Sequence, residues 1–197
     1  MVPRMSISLV TTKAQQRTAA LARRDALPVS ERRAASQKIA QRRFPVPFGE
    51  GTVVAGYSPV RSECDPIPLM RSLAGKGVQL ALPIIEKDKT LSFAEWRQGE
   101  QLTAGPFGIL QPRPGALDVE PDIILVPLVG FDRAGHRIGY GVGYYDRTLQ
   151  ALRARRPVVA VGIAFATQQI DAVVAEATDQ LLDLVLTELE VVDPRAR

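Results

Sequence analysis

Five short apolar runs limit what this chain can fold into more than any other feature. They are 52–57 (TVVAGY), 79–85 (QLALPII), 123–126 (IILV), 158–165 (VVAVGIAF) and 183–188 (DLVLTE). Runs of this length, rich in β-branched residues and without polar alternation, belong to strands covered on both faces. The segments between them are long enough for helices. Helical patterns are expected over 13–27, over a second basic stretch capped by Ser30 and ending near Arg43, over 66–73 before Gly75 and Gly77, and from Tyr144 to about Arg156. A shorter strand is expected at 91–93 and a further helical segment from Gln168. Strands alternating with helices imply a three-layer α/β/α fold with a mostly parallel or mixed central sheet. In such sheets ligands collect where strands end at their carboxyl side.

At 46% hydrophobic residues the 197-residue chain can bury one sizeable core, expected over 13–193 after a flexible lead-in at 1–12. Its apolar runs are strand-sized, far short of the roughly 18–20 residues of a membrane span. The one cysteine, Cys64, excludes an internal disulfide and suits a reducing cytoplasm. It reads as a small packed residue, Trp96 as half-buried, and His136 as a surface residue.

The segment 122–149 (DIILVPLVGFDRAGHRIGYGVGYYDRTL) carries the chemistry. A buried strand stops at Pro127, a polar turn follows, and glycines then stand at 139, 141 and 143 before a helix opens at Tyr144. Glycines let backbone N–H groups approach a ligand, and a helix N-terminus favours anions. Arg137 adds a planar fork suited to phosphate oxygens. The spacing is neither a P-loop, since no Lys-Ser/Thr follows, nor the dinucleotide pattern, since Tyr144 stands where that needs Gly. Such a loop serves equally as an anion cradle or as a purely structural turn.

The whole string Arg137-Ile138-Gly139-Tyr140-Gly141-Val142-Gly143-Tyr144-Tyr145-Asp146-Arg147, with Val-Pro and Gly-Phe-Asp before it, resembles the signature of the 5-formyltetrahydrofolate cyclo-ligases. The resemblance runs from about Lys13 to Glu188. It implies a fold akin to sugar-phosphate isomerase and CoA-transferase domains, with ATP-dependent closure of 5-formyltetrahydrofolate to 5,10-methenyltetrahydrofolate. It further implies that Lys13, Arg17 and residues 137–145 cradle ATP, and that Arg137 and Tyr144 act at the reacting centre. Ser58, Glu63, Phe107, Tyr140 and Tyr144 would take the folate, and Asp146 and Asp179 would hold Mg²⁺. Asp183, Thr187 and Glu188 match the family's closing pattern. The chain departs from it at Leu110, Gln111, Leu128, Gly130, Val142 and Thr178.

The resemblance leaves a single-chain cytoplasmic enzyme, acting on small molecules and needing neither nucleic acid nor a membrane. Two other readings stand beside it. One is an ATP-dependent relative acting on another formamide or pterin-like substrate. The other comes from charge: residues 1–43 carry ten Lys/Arg against Asp25 and Glu31 in a chain of net charge +4. Such a basic arm would suit nucleic acid as well as ATP, although it lacks the interleaved aromatics that stack on bases.

Overall fold

The computed structural model describes residues 12–196; apart from Thr12, the expected lead-in lies outside the described residues. The strands are β1 (Val53–Ala55), β2 (Gln79–Ile85), β3 (Leu91–Glu95), β4 (Thr103–Ala104), β5 (Leu110–Gln111), β6 (Ile123–Pro127), β7 (Gly130–Phe131), β8 (Arg137–Ile138), β9 (Val159–Ile163), β10 (Leu184–Leu186) and β11 (Val191–Val192). The helices are α1 (Lys13–Asp25), α2 (Val29–Gln41), α3 (Ile67–Ala74) and α4 (Tyr144–Arg153). All five apolar runs form strands of one sheet, in the order β11-β10-β9-β6-β1-β2-β3. The five inner strands are parallel, and each edge is closed by an antiparallel partner. The sheet is therefore mixed, as expected. Two small antiparallel ribbons, β4–β5 and β7–β8, stand apart from it.

Alternate strand residues face opposite layers. Val54, Ile123, Leu125, Val161 and Ile163 meet Ile39 of α2 and Leu69, Met70 and Leu73 of α3. Val53, Ala55, Ile124, Val126 and Ala160 meet Leu149 and Leu152 of α4 on the other side. Both faces are covered, which is why these strands show no polar alternation. Fully burying each of the large side chains contributes about 1.5–3 kcal/mol. Trp96, expected to be half-buried, is only 7% exposed and joins the first of these cores.

Three local differences have physical causes. α2 begins at Val29, with Pro28 at the cap position instead of Ser30; the proline's fixed φ starts the helix two residues earlier. No helix follows Gln168, where one 3₁₀ turn (Ala166–Gln168) gives way to irregular chain. The N–H groups of Ile170, Val173 and Val174 go instead to the Phe131 carbonyl, the Asp132 carboxylate and the Gln16 amide. Lastly, α1 turns its basic face inward and leaves Ala14 exposed. Its buried face carries Ala20 and Arg24, with Lys13 and Arg17 half-buried, and it lies across Val129 and Ile138 next to the β7–β8 ribbon. Gly130 makes that approach possible: a Cβ there would sit 3.3 Å from the Ala20 methyl.

Candidate active site

The loops that leave β1, β6, β9 and β10 all emerge at the carboxyl end of the sheet, and α1 closes over them. After β6 the chain forms the β7–β8 ribbon before entering the glycine segment. The buried Asp132 holds the ribbon's turn by accepting from the N–H groups of Ala134 and His136 at 2.9 and 3.0 Å. His136 is half-buried, with its ring Nδ1 3.1 Å from Asp132, and so it is part of the turn's structure.

The three glycines differ in role. Gly141 and Gly143 adopt left-handed backbone (φ 96° and 79°), which a β-branched residue avoids, while Val142 between them does not. Gly143 is the cap residue of α4, and no side chain caps that helix. Its first-turn N–H groups therefore have no side-chain acceptor, and its dipole favours an anion there. Arg17 donates from Nε to the Gly139 carbonyl at 2.7 Å, tying α1 to this loop.

Beneath the loop lies a charged cluster. Arg137, with only 5% of its side chain exposed, donates to Asp146 Oδ1 at 2.6 Å and to the Gln180 carbonyl. The same Asp146 oxygen accepts the Gln180 N–H at 3.0 Å, while the second oxygen has no partner among the described residues. Burial lowers the Arg137 pKa, and Asp146 and then Asp179 oppose that. Lys13 Nζ meets both Asp179 oxygens at 2.7 and 2.6 Å. Burial would raise the Asp179 carboxyl, but the hydrogen bonds from Lys13 and the Glu176 N–H outweigh it and hold the group below the ordinary carboxylate range.

A second cluster centres on Arg24, which is wholly buried. It joins Ser62, the Leu128 carbonyl and the Tyr140 hydroxyl. Glu63, 9% exposed, lies in the same pocket and accepts the Val60 N–H at 2.8 Å. Ser58 is half-buried at the start of that loop. Tyr144 and Tyr145 are partly buried against the α4 core, with the Arg147 guanidinium 5.9 Å from the Tyr144 ring centroid. Burial drives the Tyr145 hydroxyl far above its usual pKa.

Lys13, Arg17, Arg137–Tyr145, Asp146 and Asp179 thus converge around the glycine loop, and Glu63 stands beside Tyr140 at its flank, whereas no contact among the described residues ties Ser58 to them. Phe107 does not join them. It is 80% exposed at the tip of the β4–β5 ribbon, with a left-handed backbone (φ 59°). Cys64 is buried beside Glu63, and burial pushes its thiol up to about 12, consistent with packing rather than reactivity. Sequence reasoning missed Arg24, Asp132 and Gln168. Arg24 was detectable, since it follows Lys13 and Arg17 on one helix face. Gln168, wholly buried, gives its amide to the Leu128 and Val129 carbonyls, and only the tertiary structure reveals that.

Comparison with known proteins identifies the family. Residues 10–188 match the model of the 5-formyltetrahydrofolate cyclo-ligase family. The chain belongs to the 5-formyltetrahydrofolate cyclo-ligase family. It is 34% identical to the Mycolicibacterium smegmatis cyclo-ligase over 89% of this chain and 93% of that one. Against the Escherichia coli K12 cyclo-ligase the identity is 30%, covering 86% and 96%. The solved Aquifex aeolicus 5,10-methenyltetrahydrofolate synthetase superposes with a TM-score of 0.78 at 33% identity, covering 94% of each chain. The corresponding Mycoplasma pneumoniae enzyme gives 0.71 at 27% identity, covering 89% and 98%. The cyclo-ligase family and the mixed-sheet fold expected from the sequence are both established by these matches.

Proposed function

We propose that this cyclo-ligase converts 5-formyltetrahydrofolate and ATP to 5,10-methenyltetrahydrofolate, ADP and phosphate. One observation carries the reading: α1 ties Arg17 to a glycine loop whose helix has no side-chain cap, while Lys13 pairs with Asp179 beside the Arg137–Asp146 pair. That combination supports a triphosphate cradle.

In this reading the formyl oxygen attacks the γ-phosphorus and ADP leaves. N10 then attacks the formyl carbon, loses its proton, and phosphate departs with the former formyl oxygen. Phosphoryl transfer of this kind depends on positioning and charge neutralisation, not on a protein nucleophile. The backbone of Arg137, Ile138, Gly139, Tyr140, Gly141, Val142, Gly143, Tyr144 and Tyr145 orients the phosphates, with Lys13 and Arg17 supplying charge. Arg137 stabilises the transferring group, and Tyr144 stands between nucleotide and folate. Ser58, Glu63 and Tyr140 hold the pteridine, whose amide N–H and amino edge needs acceptors. Phe107 reaches the folate only if its ribbon folds inward on binding.

Among the described residues no group of three His, Cys, Asp or Glu is arranged to hold a metal ion. A magnesium ion arriving with ATP needs only one or two carboxylates besides phosphate oxygens and water. The open oxygen of Asp146 fits that requirement directly, and Asp179 fits once Lys13 turns to the nucleotide. Bound there, the ion would neutralise phosphate charge.

We further propose one catalytic unit over 13–193, acting as a cytoplasmic monomer on small molecules. No helix among the described residues is long and apolar enough to cross a membrane. Incubating the protein with ATP, Mg²⁺ and 5-formyltetrahydrofolate should produce the absorbance of the methenyl product. Neither product nor folate binding would refute the substrate assignment and favour a relative acting on another formamide.

A further inference from the structure

We propose that Arg24 is a positioning residue for the substrate's pteridine: from the buried end of α1 it orients Tyr140 and keeps Glu63 available as an acceptor carboxylate. The proposal rests on the reading that Glu63 receives the pteridine edge.

Each nitrogen of Arg24 donates to an oxygen from a different part of the chain. Nε donates to Ser62 Oγ at 3.0 Å, one terminal nitrogen to the Leu128 carbonyl at 3.2 Å, and the other to the Tyr140 hydroxyl at 2.7 Å. Its guanidinium carbon also lies 5.6 Å from the Tyr140 ring centroid. Ser62 in turn donates to the Asp25 carboxylate, so the nearest acid reached by hydrogen bonds is one hydroxyl away. No Asp or Glu of the described residues pairs directly with Arg24, although it is 0% exposed. A buried cation held only by neutral oxygens is destabilising, and an apolar side chain of that size would pack there with less loss. Something in the pocket must need the charge.

Glu63 meets that need. It too is buried, and burial is the strongest influence on it, pushing its carboxyl up. The groups around it come from every neighbouring element. Arg24 faces it from α1, Tyr140 from the glycine loop and Tyr145 from α4, while Tyr57, Arg61, Cys64 and Asp65 belong to its own loop. Arg32 and Arg33 of α2 and Arg71 of α3 line the open side of the same pocket; like the exposed Arg61 they face solvent, so water screens them. Arg24 is the unscreened cation. The Tyr140 hydroxyl accepts from Arg24, which leaves its own proton free to turn towards Glu63. A pteridine edge presents only donors to this position, and a protonated carboxyl would answer it with one acceptor fewer.

The test compares Arg24→Met, Arg24→Lys and Tyr140→Phe with the parent protein. KM is measured separately for 5-formyltetrahydrofolate and ATP, and kcat/KM for the folate is followed against pH. Arg24→Met should raise the folate KM by about ten- to a hundred-fold, the loss expected when hydrogen bonds to a charged group go. The ATP KM should not move. Because Glu63 would then lack its cation, the acidic limb of the profile should shift to higher pH by about one unit or more. Arg24→Lys should bring the limb back while recovering only part of the affinity. Tyr140→Phe should move the limb in the same direction, by less. A folded Arg24→Met protein with an unmoved limb, or with both KM values raised alike, would overturn the positioning role. If Arg24→Met does not fold, Tyr140→Phe decides, and an unshifted limb overturns the proposal. A parent protein that turns over no 5-formyltetrahydrofolate would instead overturn the reading beneath it.

Discussion

Replacing Asp146 with alanine should damage both stability and turnover, and the structure indicates by how much. Among the described residues the side chain is the only carboxylate paired with Arg137, and it is the acceptor for the Gln180 N–H. Breaking a buried ion pair by removing one partner costs about 3–5 kcal/mol. Here Arg137 is almost wholly buried but Asp146 is 27% exposed, and Arg137 keeps its bond to the Gln180 carbonyl. The ion-pair loss is therefore smaller, and with about 1 kcal/mol for the orphaned N–H the total comes to about 2–4 kcal/mol. Asp146→Asn retains an oxygen for both donors and removes only the charge, so it should cost about 1–2 kcal/mol. Urea unfolding followed through the single, buried Trp96 would measure both. Turnover with Mg²⁺ and ATP should be lost in both variants, because the open Asp146 oxygen is the proposed metal contact. An Asp146→Asn protein with parental turnover, or an Asp146→Ala protein as stable as the parent, would refute this reasoning.

Gly143→Ala should cost about 1–2 kcal/mol by forcing a Cβ into left-handed backbone, whereas Gly139→Ala should leave the urea midpoint unchanged, since its Cβ meets nothing within 4 Å. Gly139→Ala should nonetheless raise the KM for ATP, and an unchanged KM would mean that the nucleotide does not approach the backbone there. Asp179 is held below its usual pKa, so its contribution to stability is present above the unfolded carboxylate range and lost as pH falls through the lower folded value. Asp179→Asn should therefore flatten the acid limb of a stability-against-pH curve, and an identical limb would show that the Lys13 contact contributes nothing. Native protein at neutral pH should resist thiol reagents at Cys64, with labelling appearing only on denaturation; rapid native labelling would contradict the burial.

The strands were legible because burial on both faces writes itself as continuous apolar runs. Those at 79–85 and 123–126 fall within a residue of β2 and β6. The antiparallel β11 carries only two residues and left no pattern to read. The helix expected after Gln168 failed because its N–H groups are claimed by Phe131, Asp132 and Gln16, residues far away in sequence. The glycine loop could be found from its spacing, but which glycines are left-handed depends on how the backbone turns into α4. Lys13 and Arg17 were assigned through the family resemblance; their i, i+4 spacing alone suits an exposed basic helix face equally well. Arg24 shares their helix face but was given no role, because a third arginine on a basic helix looks like surface until the β7–β8 ribbon covers it. That inward turn of Lys13, Arg17 and Arg24 also removes much of the exposed basic stripe a nucleic-acid reading would need.

The central claim is that the loop from Gly139 to Gly143 receives the nucleotide's terminal phosphates. A crystal structure with Mg²⁺ and a non-hydrolysable ATP analogue tests it most directly. The account predicts the β- and γ-phosphates on the N–H groups leading into α4, with Arg17 and Lys13 beside them and the metal on Asp146. An analogue bound elsewhere, with this loop facing solvent, would contradict it.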